Sequence, residues 1–213
     1  MTRTEILDRY RHLRAISTQH HNAALAFVAR PTILEHAKRL GLAAGKALIA
    51  DNHETMTLLF DLNLYTAKEG RSRALDRYAR AAKLAPGSDE AHMLDAMRHP
   101  NFSIWRLERK HETAGLVVTD LLREREEWLV DENLERSAPN DAVFAARVCK
   151  PESFAMTCGV VVPLTSELIE KAMHSALAWK AEKPEQLALD PRFATALYRA
   201  AIDSGIMNHV AYE

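Results

Sequence analysis

The stretch Asn101-Phe102-Ser103-Ile104-Trp105-Arg106-Leu107 follows Pro100 and changes the hydrophobic period of the chain from helical to two. Leu116-Val117-Val118 follows a Gly115 turn, and Trp128-Leu129-Val130, Ala142 to Val148 and Phe154 to Val162 come next at the roughly 8–12-residue spacing of small sandwiches and barrels. Five short strands in about 60 residues predict one antiparallel unit over 101–163, a small barrel or half-barrel.

Working outward, the residues before Pro100 read as helices. Thr4 to Arg30 holds neither Gly nor Pro and repeats Ile6, Tyr10, Leu13, Ala24 and Val28 at helical steps. Pro31 then opens a short helix through Leu40, and Gly41 to Gly45 reads as a loop or loose helix. Asp51 is the expected cap of a helix carrying Leu58, Leu59, Leu62 and Tyr65. Leu75, Tyr78, Ala79 and Ala82 make an apolar stripe opposite Arg73, Arg77 and Arg80, and Ser88 starts a helix that stops at His99-Pro100. After Pro163, Thr165 or Ser166 caps a helix to about Glu182, and Pro191 begins a last one. The fold class is therefore α+β: a helical region over 1–100, the β-unit over 101–163 and C-terminal helices over 164–213, which together can form one integrated domain.

Composition narrows the setting. A hydrophobic share of 47%, a charged share of 27% and few Gly or Pro are those of an ordered globular chain of 213 residues. The charged N-terminus and the lack of a run near the roughly 18 apolar residues of a membrane span predict a cytoplasmic protein without membrane attachment. Cys149 and Cys158, offset on two arms of a hairpin, are expected to stay reduced. A net charge of −1 gives no global attraction to nucleic acid.

Several chemistries fail on spacing. Gly41-Leu42-Ala43-Ala44-Gly45-Lys46-Ala47 has its glycines one residue too close for a phosphate loop, and no Ser or Thr follows the lysine. Asp89-Glu90-Ala91-His92 spells a helicase signature with no phosphate loop to serve. A Gly-x-Ser-x-Gly elbow and a HExxH pair are both missing from the sequence. His20 and His21 point about 100° apart on a helix, so a metal site would need one of them together with His53 and an acid. No cofactor is expected.

Charge gives one candidate surface. Lys68, Arg71, Arg73, Arg77, Arg80 and Lys83 stand against Glu69 and Asp76, an excess of four positive charges. Arg73, Arg77 and Arg80 are the residues expected to meet phosphates or an acidic partner, unless the face is merely solvated. The acidic residues Glu124, Glu126, Glu127, Asp131, Glu132 and Glu135 blunt sheet edges or serve as the arginines' intramolecular counterpart. Trp105 and Trp128 read as core anchors, and Trp179 as a packing or homo-oligomer contact.

Gly115 to Leu122, Trp128 to Glu132, Ser137, Asp141 and Ala146-Arg147-Val148 together resemble a region of uncharacterised bacterial proteins that carry SEC-C-type zinc tails. The resemblance implies a helical half followed by a small β-barrel region. It carries no zinc site over, because this chain ends in Asn208-His209-Val210-Ala211-Tyr212-Glu213 and lacks the cysteine-rich cluster. Ala74-Leu75, Tyr78, Ala81, Leu84, Pro86 and Ala91 resemble one tetratricopeptide helix, but no copy lies about 34 residues away on either side. The expected function is a non-catalytic interaction or regulatory role. The rival readings are a metal-dependent enzyme using His20, His21 or His53, and nucleic-acid binding through the basic helix face.

Overall fold

The computed structural model describes residues 1–49, 52–68, 70–177 and 184–209. Helix α1 (Arg3–Leu25) begins with a capping box, in which Thr2 Oγ1 accepts from the Glu5 amide and the Glu5 carboxylate accepts from the Thr2 amide. It buries Ile6, Tyr10, Leu13, Ile16, His20 and Ala24 along one face. The helix stops five residues before the expected Arg30. The chain turns through Ala26 to Val28, and the carbonyl of Phe27 is taken by Arg77 rather than by a helical amide.

Helix α2 (Arg30–Leu40) has Pro31 in its first turn and ends at Gly41 in the left-handed conformation, φ 74°. The next residues form neither loop nor loose helix but a two-residue ladder, β1 (Ala43–Ala44) with β2 (Ala47–Leu48). Helix α3 (His53–Tyr65) is capped by Asn52, whose Oδ1 accepts from Thr55 N at 2.9 Å. Asp51, the expected cap, lies outside the described residues. Helices α4 (Ala74–Ala81) and α5 (Asp89–Arg98) complete the N-terminal helices.

The sheet comprises β3 (Asn101–Lys110), β4 (Leu116–Asp120), β5 (Arg125–Leu129), β6 (Val143–Cys149) and β7 (Met156–Pro163), antiparallel in the order β5-β4-β3-β6-β7. The five strands fall where the period of two placed them. A short helix α6 (Glu132–Ser137), capped by Asp131, interrupts the meander and was not legible in the pattern. The sheet is open and not a barrel: β5 is five residues long, and its end meets the approach to β7 at an isolated bridge of Leu129 with Ala155 rather than along a ladder.

Both faces of the sheet are covered. Phe102, Ile104, Ala145, Val160 and Val162 pack against α2, α3 and the C-terminal helices α7 (Ser166–Leu177), α8 (Pro184–Leu189) and α9 (Pro191–Ser204). Trp105, Leu107, Leu116, Val118, Leu129, Phe144 and Val148 gather on the other face. A third cluster ties α1, α3, α4 and α5 to Phe154, Met156 and the two cysteines. The expected helix to Glu182 is described as far as Leu177, and Trp179 lies outside the described residues. Among the described residues, no helix is long and apolar enough to cross a membrane.

Cys149 sits opposite Met156 and Cys158 lies further along β7, so the thiols are offset; both are free and buried. Trp105 is buried and donates to Ala146 O at 3.1 Å. Trp128 is half-buried, donates to Ala114 O at 2.7 Å and stacks on His111 at 4.3 Å between centroids. Both tryptophans are anchored in the fold, each with its indole N–H satisfied.

Candidate functional site

Where α1 ends, α2 begins, α3 ends and α4 begins, four chain segments leave a cavity of about 570 Å3. Its wall is divided by chemistry. Phe27, Val28, Pro31, Ala67 and Ala74 give an apolar side. Lys68, Arg71 and Arg77 give a cationic side, with Glu35 as the acid among the lining residues.

The cations are held differently. Lys68 pairs with Glu35 at 2.8 Å, and Glu35 also receives Arg39 at 2.7 Å. The Lys68 hydrogen bond holds the Glu35 carboxyl below its usual range. Arg77 meets no carboxylate among the described residues: it donates to the carbonyls of Ser72 and Phe27, the latter at 2.6 Å, which locks its guanidinium at the cavity wall. Arg71 is exposed, and its guanidinium has no protein partner among the described residues. With Glu35 spent on Lys68 and Arg39, two guanidinium charges lack a counter-ion among the described residues.

The backbone adds to this field. Helix α4 presents its first turn at the cavity through Ala74, and its N-cap, Arg73, makes no side-chain cap bond. The positive end of the helix dipole thus meets the same cavity as Arg71 and Arg77. Asp76, in that first turn, takes Arg73 at 2.7 Å and Arg98 at 3.3 Å and does not line the cavity.

His36 and Asn63, both buried, also line the cavity. His36 Nδ1 is 3.0 Å from Asn63 Oδ1, and Nε2 is 3.4 Å from Thr66 Oγ1. Burial pushes the His36 imidazole below its ordinary pKa, with the Asn63 bond partly opposing.

The three arginines singled out in the sequence have different partners in the fold. Arg77 alone lines the cavity. Arg73 is consumed by Asp76 and by the carbonyl of Arg98 at 2.6 Å, and Arg80 donates to Ser72 Oγ at 2.8 Å. The acidic residues near the sheet do find basic partners, but mainly on α1: Arg11 takes Glu132 at 2.6 Å and Arg3 takes Glu135 at 2.8 Å. Arg71 and Lys68 belonged to the same basic stretch, whereas nothing in the spacing marked His36. A signal for Asn63 was present, since it and Asp61 are polar residues in an otherwise apolar run, Leu58 to Tyr65.

The histidines weighed as metal ligands are placed apart in role. His20 is buried, with Nε2 on Glu90 O at 2.8 Å and Nδ1 on Tyr78 Oη at 2.9 Å. His21 Nε2 meets Tyr65 Oη at 2.7 Å, and burial drives its pKa down to about 4. His53 is exposed at the start of α3. Among the described residues, no three His, Cys, Asp or Glu side chains converge as a metal site.

A family model described as a family of unknown function (DUF7986) matches residues 4–208. No curated protein and no solved structure matches the chain.

Proposed function

We propose, on the premise that the chain belongs to the family of unknown function DUF7986, that the protein is a non-catalytic cytoplasmic binding protein whose ligand is a small organic oxyanion. One observation carries this reading: a cavity of about 570 Å3 whose wall pairs an apolar side with two guanidinium groups, Arg71 and Arg77, lacking a carboxylate partner among the described residues. Its volume lies in the range of about 300–1,000 Å3 usual for small-ligand sites. Its chemistry calls for a ligand with an apolar body and an anionic head, such as an aryl or nucleoside phosphate.

A polynucleotide is less well supported. It would need Arg73, Arg77 and Arg80 presented together on a convex face, whereas Arg73 is taken by Asp76 and the Arg98 carbonyl and Arg77 lines the cavity without the other two. The metal-enzyme reading is less well supported, since both ring nitrogens of His20 and one of His21 are engaged by Tyr78, Glu90 and Tyr65. The resemblance of the strand region to proteins with SEC-C-type tails adds no function to this reading.

Calorimetric titration with phenyl phosphate, and with benzyl alcohol as a neutral control, tests the reading. Binding of the phosphate but not the alcohol is expected, weakened about tenfold or more by Arg71→Ala, because one charge-assisted hydrogen bond contributes about 1.5–3 kcal/mol. Equal binding of both compounds, or an affinity indifferent to Arg71→Ala, would remove the basis of the proposal.

A further inference from the structure

What faces the two ring nitrogens of His36 decides how the cavity responds to charge. Asn63 Nδ2 donates to Leu59 O at 2.8 Å, so Asn63 Oδ1 is an acceptor and the proton between the two side chains sits on His36 Nδ1. Thr66 Oγ1 lies 3.4 Å from Nε2, and its own proton goes to Leu62 O at 2.6 Å. Nε2 of the neutral ring therefore turns a lone pair toward an oxygen with no proton to offer. A second proton would convert that facing pair into N–H···O on a ring already aligned by Asn63.

The groups that set the proton's cost are close by. Burial and the charges of Arg39 on the same helix and Lys68 beyond α3 lower the ring's pKa, and the Asn63 bond and Glu35 oppose them. Arg71 and Arg77 stand on the cavity wall. Helix α9 packs against α2 and brings Arg199 to Gly41 at the far end of α2, and the small ladder β1–β2 has no charged strand residue. The positive surroundings are those an anion would neutralise.

Resting on the binding site described above, we propose that His36 is the charge-selecting residue of this cavity, taking a proton from solvent onto Nε2 as an oxyanion binds and donating it to Thr66 Oγ1. Binding and protonation are then linked, each favouring the other. Affinity rises as pH falls through the window between the His36 value of the complex and that of the free protein, by up to about tenfold per pH unit, and levels off on either side. A neutral ligand of the same shape gains nothing from acidification.

Benzenesulfonate is the probe, because it does not titrate near neutrality and any proton taken up belongs to the protein. Calorimetry of the full chain at pH 7 in two buffers of different ionisation enthalpy is expected to show fractional proton uptake per sulfonate bound. The ring-nitrogen NMR signals of His36 should move toward imidazolium in the same titration, and His36→Gln should bind with a pH-independent affinity. Sulfonate binding with no proton uptake and unmoved His36 signals overturns this inference and leaves the anion site standing. Failure of both benzenesulfonate and phenyl phosphate to bind overturns the two together.

Discussion

Arg147 on β6 and Asp61 on α3 form an ion pair inside the protein, Nε to Oδ2 at 2.9 Å, with side chains only 8% and 2% exposed. Tyr198 on α9 donates to the same carboxylate oxygen at 2.8 Å, and the guanidinium stacks over the rings of Tyr65 and Phe102 at 5.0 and 4.9 Å. The pair and its tyrosine thus join α3 and α9 to one face of the sheet. Arg147→Met leaves a buried carboxylate with one hydroxyl for company, and a loss of about 3–5 kcal/mol is expected in urea unfolding. The double variant Asp61→Leu with Arg147→Met should cost clearly less than the sum of the single changes. Additive losses would mean the two charges stabilise independently of one another.

The same carboxylate explains a glycine. Gly159 has an ordinary backbone conformation, yet a Cβ placed on it would lie 2.3 Å from Asp61 Oδ1 and 3.3 Å from the Arg147 Cβ. Gly159→Ala therefore tests steric room rather than backbone freedom. A destabilisation of about 1–3 kcal/mol is expected, the range for overpacking a tight interior. Thermal unfolding should show this loss shrink when Asp61→Ala is present as well, and an undiminished loss would place the clash elsewhere.

These relations show why sequence resolved some features and not others. The strands were legible because Phe102, Ile104, Val118, Phe144 and Val162 alternate with a period that depends on the backbone alone. The openness of the sheet was not, since closure depends on strand length and curl, which Leu129 and Ala155 settle in space. The arginine stripe was legible as charge, but its partners were not: Arg73 is spent on Asp76 three residues away, while Arg77 reaches Phe27, fifty residues earlier. The cavity was invisible in one dimension because it is made of four element ends, and ends are where periodicity stops.

Acid should weaken the fold before its carboxylates protonate. Burial holds His21 at about 4, whereas an unfolded chain leaves histidine near 6.5. The unfolded state therefore binds the extra proton first, so stability falls as pH drops from about 6.5 toward about 4 and changes no further on this account below that. The full contribution is roughly 3 kcal/mol, from 1.36 kcal/mol per pKa unit. Urea midpoints at pH 7 and pH 5 should differ accordingly. His21→Gln can still donate to Tyr65 Oη and does not titrate, so its midpoint should move less between those pH values; an equal shift would assign the acid sensitivity to other groups.

Arg71 and Arg77 share the cavity but differ in what the fold asks of them, and paired measurements separate the two roles. Arg71 is exposed with no protein partner among the described residues, so Arg71→Ala should leave stability within about 0.5 kcal/mol while removing much of the anion affinity. Arg77 ties the carbonyls of Phe27 and Ser72 together, closing the end of α1 onto the start of α4. Hydrogen bonds from a charged donor contribute about 1.5–3 kcal/mol, so Arg77→Ala should lower stability by about that amount and lose affinity as well. Arg77→Lys retains the charge but not the planar fork that reaches two carbonyls, so it should recover part of the affinity and little of the stability. Chemical denaturation of each variant, run beside phenyl phosphate titration, gives two independent readings per residue. Unchanged phosphate affinity in Arg71→Ala combined with a stability loss like that of Arg77→Ala would identify both arginines as parts of the scaffold, with the anion bound elsewhere.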